Sequence, residues 1–265
     1  MLNLNRHPIF MKFFLSLVIA LSSVFCSYSQ SAYKDGEWLS FKIKYGWFNT
    51  SKATLEVKKT RLNNKDVNHI IGNGKSVGLL DVFFKVRDRY ETYINQDDLP
   101  IKFVRNIDEG GYKKNKELYF NHNSRRVRVI DHKSGTTESF DFKHDTQDML
   151  SAFYKLRNSI DIETLKIGQE FRLNMFFDDE NYDFKTKFLG YEVLDSKFGR
   201  VACLKFRPYV KAERIFEAQE SLTFWITADQ NKIPLKIEAQ LTVGSLTAEL
   251  DEFKGLSHSF RIIID

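Results

Sequence analysis

Apolar and polar residues alternate with a period of two along most of this chain. Leu39, Phe41 and Ile43, for example, share one parity, whereas Ser40 and Lys42 take the other. Successive side chains of an extended strand point to opposite faces of the sheet, so this pattern predicts strands with one buried face. The 24 Phe and 11 Tyr residues favour the same structure, because aromatic side chains pack well on a pleated surface.

Short polar turns separate the predicted strands. Examples are the segments 63–66 (NNKD), 95–98 (NQDD) and 178–181 (DDEN). About a dozen strands can be counted in this way, and most are joined to the next strand by such a turn. The arrangement predicts a mainly β fold, a single antiparallel meander that closes into a barrel or a curved half-barrel. Because no Pro- or Ser-rich linker interrupts it, residues 30–265 are predicted to form one domain.

One segment departs from the alternating pattern. From Asp145 the sequence reads DTQDMLSAFYKLRN, in which Met149, Phe153 and Leu156 recur at helical spacing. Asp145 suits the N-cap position, because its carboxylate can accept a hydrogen bond from a free backbone N–H group. We therefore predict one short helix near residues 145–158, which either plugs an end of the barrel or packs across the concave side of the sheet.

The N-terminal segment has the three parts of a cleavable signal peptide. Arg6 and Lys12 precede an apolar stretch at residues 13–26, and Ser27 and Ser29 follow it in a small-x-small arrangement. The apolar stretch is shorter than the roughly 20 residues that a membrane helix requires. Residues 1–29 are therefore predicted to be a signal peptide that is removed, which leaves a mature chain without a transmembrane segment.

This signal predicts export to the periplasm, with association with the outer membrane as an open alternative. Two other interpretations of the segment are a retained membrane anchor and a lipoprotein attached through Cys26. Phe25 argues against the lipoprotein, because a small residue normally precedes a lipidated cysteine. Met11 is an alternative start, since residues 11–30 contain a complete signal.

The charged residues indicate a solvated surface. The chain contains 40 basic and 35 acidic residues, a net charge of +5, and removal of Arg6 and Lys12 with the signal would lower it to +3. The two signs are interleaved, without the basic stripe that nucleic-acid binding requires, so no nucleic-acid partner is expected. Cys203 would be the remaining cysteine, which excludes an internal disulfide, and its apolar neighbours indicate a core residue.

No motif for catalysis or metal binding occurs in the sequence. The patterns of serine hydrolases, zinc proteases, P-loop proteins and dinucleotide-binding proteins are absent. The six histidines include no pair at a spacing typical of metal ligands, and His122 and His132, which flank a predicted hairpin, are interpreted as surface residues. We therefore predict no catalytic residue, no metal and no cofactor.

Asp88 and Arg105 are charged residues on strand faces that are otherwise apolar. Asp88 shares its parity with Tyr90, and Arg105 shares its parity with Phe103. If residues 95–98 form the connecting loop, Asp88 lies directly opposite Arg105 on the neighbouring strand. A charge on an apolar face is costly unless it is paired. The two residues are therefore predicted to form either a structural ion pair inside the barrel or a polar anchor at the base of a ligand cavity.

Three further residues are candidates for ligand contact. Arg157 lies near the centre of the apolar face of the predicted helix, where it closes the helix C-terminus, snorkels to the surface, or reaches into the barrel to bind an anion or a carboxylate. Tyr154, at the edge of this face, would add a hydroxyl group. Trp225 shares a face with Thr223 and Thr227 and is interpreted as a packing residue, with a sugar platform as the alternative.

The helix segment and a later hairpin resemble the signatures of a protein family. The first is the run QDMLSAFYKLR at 147–157, and the second is LTFWI at 222–226 followed by Asp229, PLKI at 234–237 and Gly244. In this order they resemble a family of exported bacterial proteins known only as a domain of unknown function. The resemblance implies a many-stranded antiparallel barrel-like fold, similar to that of some outer-membrane-associated lipoproteins. It implies no activity and no substrate.

Two functions fit these features best. The first is a non-enzymatic periplasmic protein that binds or carries an apolar or amphipathic ligand, such as a lipid or acyl chain, in the barrel interior, as the distant architectural similarity to lipoprotein carriers suggests. The alternative is a structural or assembly factor of the cell envelope with a filled barrel, which binds a protein or glycan partner. An enzyme acting on envelope polysaccharide is a third hypothesis. An empty apolar interior of roughly several hundred Å3 would favour the carrier, and a packed interior the assembly factor.

Overall fold

Strands dominate the parts of the chain that the structure describes, as the alternating pattern predicts. This structure, a computed structural model, describes residues 31–209 and 222–264. The predicted signal peptide therefore lies outside the described residues and stays a prediction. The described residues from Ala32 onward form one compact unit.

Fourteen strands and two helices occur within the described ranges. The helices are α1, Gly78–Phe83, and α2, Met149–Ser159. The strands are β1 Trp38–Tyr45, β2 Phe48–Leu62, β3 Lys65–Ser76, β4 Arg87–Ile94, β5 Pro100–Glu109, β6 Tyr112–Asn121, β7 Arg126–Asp131, β8 Thr136–Asp141, β9 Glu170–Phe177, β10 Glu180–Ser196, β11 Gly199–Tyr209, β12 Leu222–Thr227, β13 Pro234–Gln240 and β14 Ser245–Lys254.

All fourteen strands belong to one antiparallel sheet. Its order is β8-β7-β6-β5-β4-β3-β2-β1-β14-β13-β12-β11-β10-β9, so that nearly every strand lies beside its neighbour in sequence and β1 pairs with β14. The predicted antiparallel meander is thus confirmed. The sheet curls without closing, because its edges, β8 and β9, share no strand ladder in the described chain.

Side chains and the segment before α2 join the two edges. The Asn181 side chain donates to the carbonyl oxygen of Asp141 (2.9 Å), and Lys143 forms an ion pair with Asp183 (2.6 Å). Gln147 forms a single parallel bridge to Met175 on the edge strand β9. The meander therefore forms a curled half-barrel, and these contacts hold its two edges together.

Helix α2 packs against the inner face of the curl, which is the second of its two predicted positions. Leu150 and Tyr154 belong to the buried cluster that Ile70 of β3 and Ile94 of β4 also form. Gly72 of β3 permits this approach, since a Cβ atom there would lie 3.5 Å from the Leu150 side chain. The helix thereby fills the space that an open barrel would leave.

The predicted helix start at Asp145 is wrong, because the N-cap of α2 is Asp148. The Asp148 carboxylate accepts hydrogen bonds from the backbone N–H groups of Leu150 (2.8 Å) and Ser151 (2.9 Å), and the Ser151 hydroxyl accepts one from the Asp148 N–H (2.9 Å). This reciprocal capping box satisfies more backbone donors than a lone cap at Asp145. Asp145 instead takes a left-handed turn conformation with φ of +54°.

Candidate functional site

Arg157 of the helix α2 forms a buried ion pair with Glu37, which precedes β1. The guanidinium of Arg157 donates to both carboxylate oxygens of Glu37, at 2.6 Å and 2.8 Å, and both residues are at most 1% exposed. Arg157 also donates to the carbonyl oxygens of Ala32 (2.9 Å) and Asn231 (3.0 Å from Nε). The side chain does not snorkel to the surface. It binds a carboxylate within the fold, and its part in ligand binding stays a prediction.

Aromatic rings enclose this ion pair. The Arg157 guanidinium lies 5.1 Å from the ring centre of Tyr154, 5.5 Å from that of Phe153 and 5.7 Å from that of Tyr33. Burial raises the pKa of the Tyr154 phenol, and the nearby Glu37 carboxylate raises it further. Tyr154 is completely buried rather than at the edge of a cavity. Its immediate environment is therefore a packed core.

The structure does not place Asp88 opposite Arg105. The strands β4 and β5 pair Tyr90 with Arg105, so the predicted register is wrong by two residues. A shift of two residues keeps every side chain on its predicted face, and Arg105 is indeed buried, at 8% exposure. The cause is the loop, which is longer than the four polar residues that the sequence suggested.

The loop between β4 and β5 runs to Leu99. The N–H of Asn95 donates to the carbonyl oxygen of Leu99 (3.0 Å), and the Asn95 side chain accepts from the N–H groups of Asp97 and Leu99 (both 2.9 Å). A register shift between Tyr93 and Ile94 changes the pairing by one more residue, since Tyr93 pairs with Lys102 but Ile94 pairs with Pro100. These local hydrogen bonds decide the pairing of the two strands.

Arg105 belongs instead to a cationic cluster on the inner face. Lys116 lies beside Arg105 on β6, and Lys114 lies one inward position further along. Two carboxylates from the β9–β10 turn neutralise these cations: Asp178 contacts Arg105 and Lys114 (2.6 Å to the lysine), and Asp179 contacts Lys116 (2.5 Å). The Nε of Arg105 is buried and has no hydrogen-bond partner among the described residues.

Asp88 lies near other carboxylates. Its side chain accepts a hydrogen bond from the N–H of Asp108 (3.2 Å), and Glu109 lies next to it. Partial burial, and next the hydrogen bond with Glu109, raise the pKa of Asp88 to about 6. Asp88 therefore stays protonated to a higher pH than an exposed aspartate does.

The interior of the curl holds no ligand-sized space beside Arg105. The cavity between Arg105, Phe103 and Phe176 has a volume of about 10 Å3, which is too small for any organic ligand. Three much larger cavities, of about 510 to 540 Å3, are grooves on the surface. The ligand-sized volumes therefore lie at the surface and not beside Arg105.

Trp225 lies between charged side chains on a sheet face. It is 6% exposed, and its indole N–H donates to the Glu192 carboxylate (3.0 Å). The ammonium groups of Lys205 and Lys236, its cross-strand neighbours, lie 5.2 Å and 5.0 Å from its ring centre. The indole N–H is therefore paired with a carboxylate, and two ammonium groups lie within cation–π distance of the ring. A role of Trp225 as a sugar platform stays a prediction.

Four cations form a row across the outer face of the sheet, which we call the basic ladder. Lys42, Lys52, Lys75 and Arg87 are successive cross-strand partners on β1, β2, β3 and β4. Adjacent strands lie about 4.8 Å apart. The row borders two of the surface grooves: Lys42 lines the groove of about 510 Å3, and the other three line the groove of about 530 Å3 with Trp38.

Only the two ends of the basic ladder have carboxylate partners among the described residues. Lys42 pairs with Asp251 (2.7 Å), and Arg87 pairs with Asp81 (2.7 Å). Lys52 and Lys75, in the middle, are exposed and have no ion pair with any residue of the described chain. Like charges directly opposite each other in a sheet are destabilising. The ladder therefore places two cations without an ion pair at its centre.

Sequence reasoning missed the basic ladder, although a weak signal was present. Each of its residues takes the outward parity of its strand, where a cation is ordinary. Only the strand register aligns the four residues, and that register depends on turn geometry. The sequence signal was the Asn63–Asn64 pair, which is typical of a two-residue hairpin turn. This turn, with φ of +51° and +62°, fixes the register of β2 and β3 and so places Lys52 opposite Lys75.

The described ranges contain neither a metal cluster nor a membrane-spanning helix. No group of three or more His, Cys, Asp or Glu side chains there is arranged to hold a metal ion. Neither α1 nor α2 has the length and apolar character needed to cross a membrane.

Comparison with protein families gives one match that covers most of the chain. Residues 40–251 match the profile of a family described as protein of unknown function (DUF3108). None of the functionally curated proteins matches significantly. The match includes the helix α2 and the strands that form the basic ladder.

Three solved structures show similarity to this chain, to different degrees. A β-barrel-like protein of domain of unknown function DUF1849 from Brucella abortus superposes with a TM-score of 0.53 at 8% identity, over 84% of this chain and 98% of that chain. A DUF1089 family protein from Pseudomonas aeruginosa gives a TM-score of 0.38 at 10% identity, over 72% and 90%. A protein with YmcC-like fold from Bacteroides fragilis, which carries a provisional assignment as an exported protein, gives 0.30 at 9% identity, over 84% and 97%. The Brucella protein supports the barrel-like fold of this chain.

Proposed function

This chain belongs to the DUF3108 family, and from that premise we propose that it is a non-enzymatic binding factor of the cell envelope that acts through its outer face. Its partner is anionic and binds along the basic ladder, while the interior of the curled sheet serves as a filled core. The observation that carries this proposal is the pair of unneutralised cations, Lys52 and Lys75, at the centre of a four-strand row of like charges.

The electrostatics of the basic ladder support an extended anionic partner. Four cations spaced by about 4.8 Å span roughly 15 Å, so that several anionic groups of one partner can be contacted together. The mutual repulsion of Lys52 and Lys75, which are direct cross-strand partners, destabilises the free protein. An anionic partner relieves that repulsion on binding, and this gain adds to the direct attraction.

The packed interior supports the same choice of function. The inner face is filled by α2, with Arg157 fixed by Glu37 and with Leu150 and Tyr154 in the core cluster. The cavity of about 10 Å3 next to Arg105 leaves no room for an acyl chain. A carrier with its ligand in the interior is therefore the less favoured of the two functions.

Binding of a soluble polyanion tests the proposal. Dextran sulfate titrated into the protein in a calorimeter should bind, and the affinity should fall as salt rises, because exposed charges are screened. The double variant Lys52→Gln/Lys75→Gln should bind roughly tenfold more weakly, since two ion contacts of about 0.7 kcal/mol each are lost.

A matched control uses the same hairpin. Lys59 and Lys65 are also exposed lysines of β2 and β3, near the opposite end of these strands. Lys59→Gln/Lys65→Gln removes the same charge and should leave the affinity within about twofold of the wild type. Equal losses in the two variants would mean that net charge, and not the basic ladder, attracts the polyanion.

A second candidate function is favoured by the buried Nε of Arg105. The cationic cluster of Arg105, Lys114 and Lys116 has the composition of a site for a small inorganic anion, and Asp178 and Asp179 occupy it in place of a ligand. Both aspartates take left-handed conformations, with φ of +46° and +70°. Their replacement should therefore free the cations.

Sulfate binding tests this second function. If the turn carboxylates occupy an anion site, Asp178→Asn/Asp179→Asn should bind sulfate more tightly than the wild type, and Arg105→Met in the same background should abolish that gain. A double variant that binds sulfate no more tightly than the wild type would assign the cluster to stability alone.

A further inference from the structure

Five strongly exposed apolar side chains lie together at one end of the sheet, and we call them the apolar rim. They come from the β1–β2 turn, from the first residue of β2 and from α1, which connects β3 to β4. The members are Trp47 (81% exposed), Phe48 (54%), Leu79 (74%), Val82 (76%) and Phe83 (79%). An exposed apolar cluster of this kind marks a surface that contacts a partner or a membrane.

The two parts of the apolar rim are joined through the backbone. The N–H of Val77, just before α1, donates to the carbonyl oxygen of Thr50 on β2 (2.8 Å). The rings of Trp47 and Phe48 stack with their centres 3.7 Å apart. The turn and α1 thus form one protruding edge rather than two unrelated exposures.

Polar contacts hold α1 with its apolar side outward. Asp81 accepts hydrogen bonds from Ser76 (2.5 Å) and from both terminal nitrogens of Arg87 (2.7 Å and 3.0 Å). The hydrogen bonds from Arg87 and Ser76 lower the pKa of Asp81 to about 2, so it stays ionised. Helix α1 contains no buried residue. Its carboxylate therefore faces the sheet while its apolar residues face solvent, the reverse of a helix that packs on a core.

The basic ladder lies directly behind the apolar rim on the same strands. Lys52 follows Phe48 by four residues on β2, and Lys75 precedes Leu79 by four. At about 3.3 Å per residue, the cations lie on the order of 10 Å from the edge of the rim. Lys85, exposed between α1 and β4, adds another cation at this end. Apolar side chains at the tip with cations behind them correspond to the layers of a bilayer surface, in which the hydrocarbon lies beneath the charged head groups.

We propose that the apolar rim inserts into a lipid bilayer that contains anionic lipids, with the basic ladder at the level of the head-group phosphates. This inference rests on the proposed function, since it names the anionic partner of the ladder. Trp and Phe side chains are favoured at the membrane interface, and lysines close to an anionic surface strengthen binding. The rim protrudes as a turn and a helix instead of forming a groove, and its cations complement anionic head groups. Both features favour a bilayer over a protein partner.

Vesicle co-sedimentation of the full chain tests the inference. The protein should sediment with vesicles of phosphatidylcholine mixed with phosphatidylglycerol and bind pure phosphatidylcholine vesicles more weakly. The fluorescence of Trp47 should shift to shorter wavelength with the mixed vesicles, and Trp47→Phe should remove most of that shift. The variant Val82→Ser/Phe83→Ser should bind these vesicles more than about tenfold more weakly, because two apolar side chains no longer leave water.

A matched control removes an equally exposed apolar residue elsewhere. Ile167, 73% exposed in the segment between α2 and β9, is replaced in Ile167→Ser, which should bind vesicles like the wild type. Since α1 has no buried residue, the rim variant should keep the wild-type circular dichroism spectrum and unfolding temperature. A folded rim variant that still sediments with mixed vesicles would overturn the inference.

The polyanion assay separates this inference from the proposed function. The rim variant should bind dextran sulfate like the wild type, whereas Lys52→Gln/Lys75→Gln should bind both dextran sulfate and vesicles more weakly. A protein that binds dextran sulfate but no vesicle contradicts only the bilayer inference. A protein whose vesicle binding depends on the rim but not on Lys52 and Lys75 contradicts the proposed role of the ladder. Capture of a protein partner by the rim, without vesicle binding, would also overturn the inference.

Discussion

Arg157 of α2 and Glu37, which precedes β1, are separated by 120 residues in sequence and joined by two hydrogen bonds of 2.6 Å and 2.8 Å. The same guanidinium binds the carbonyl oxygens of Ala32 and Asn231. The Arg157 side chain therefore links α2 to the segment before β1 and to the β12–β13 connection. Because the pair is fully buried, its two charges are stable only together.

Removing either charge of this pair alone should strongly destabilise the fold. Arg157→Met leaves the Glu37 carboxylate buried without a partner, and we expect a loss of about 3–5 kcal/mol in the free energy of unfolding, measured with urea. Glu37→Leu should cost a similar amount. The double variant should recover much of the loss, which gives a large coupling energy in the double-mutant cycle.

A control on the same helix distinguishes this effect from loss of any cation. Lys155→Met removes the neighbouring basic side chain, whose ammonium group reaches the carbonyl oxygen of Asp97 at the surface (2.9 Å). The expected loss is below about 1 kcal/mol. Additive effects of Arg157→Met and Glu37→Leu would show that the pair is not directly coupled.

The buried N-cap Asp148 should make stability fall between about pH 4 and pH 6. Burial raises its pKa from 3.8 to about 6, although hydrogen bonds from Ser151, Thr92 and Leu150 oppose the shift. The folded state thus holds a proton more tightly than the unfolded state, so stability declines as pH rises through this window and is constant above it. A shift of this size corresponds to about 2–3 kcal/mol.

The variant Asp148→Asn should flatten that part of the pH profile. The Asn side chain keeps an oxygen that can cap the helix, and it has no charge to bury. Urea unfolding at several pH values between 4 and 7 measures the slope. An unchanged slope in the variant would show that Asp148 stays ionised throughout.

The observed register predicts which charges are coupled to Arg105. Arg105→Met and Asp178→Asn should show a coupling energy on the order of 1 kcal/mol, because the two side chains are in direct contact and Asp178 is partly exposed. Arg105→Met and Asp88→Asn should be additive. Strong coupling of Arg105 to Asp88 instead would restore the register that the four-residue loop implied.

Gly110 is required by the ring of Phe84, which lies just outside α1. A Cβ atom at Gly110 would lie 2.3 Å from Cε2 of Phe84, and the residue has φ of +56°. Gly46 has the same φ and nothing within 4 Å of such an atom. Gly110→Ala should therefore cost more than Gly46→Ala, by at least about 1 kcal/mol, because only the first adds a clash to the shared backbone strain.

Truncation of the ring tests the cause of that difference. In the background of Phe84→Ala, the Gly110→Ala substitution should cost no more than Gly46→Ala, as measured by urea unfolding. A cost that persists without the ring would place the strain in the backbone of the β5–β6 turn.

Much of the fold could be predicted from local pattern, whereas most of the candidate site could not. The inward faces of Asp88 and Arg105 follow from parity, which survives a two-residue shift. Their partners do not, because pairing depends on the length of the 95–99 loop and on the irregularity after Tyr93. The helix is visible from its spacing, but its start depends on the contact between Asp148 and Ser151, which competes with Asp145 for the cap.

The amino-acid sequence alone determined that the chain is a strand meander interrupted by the helix α2, because alternation, turn residues and helical spacing are relations between near neighbours. The position of α2 on the inner face, and the short helix α1, were found only in the structure. The tertiary structure alone decided three contacts. Arg157 pairs with Glu37, Asp178 and Asp179 pair with the cations of the inner face, and Lys52 lies opposite Lys75. Each joins residues through strand register or through the curl of the sheet, and both depend on hydrogen bonds in turns and on packing across the whole unit. The packed interior has the same origin, since α2 occupies a space that exists only once the sheet has curled.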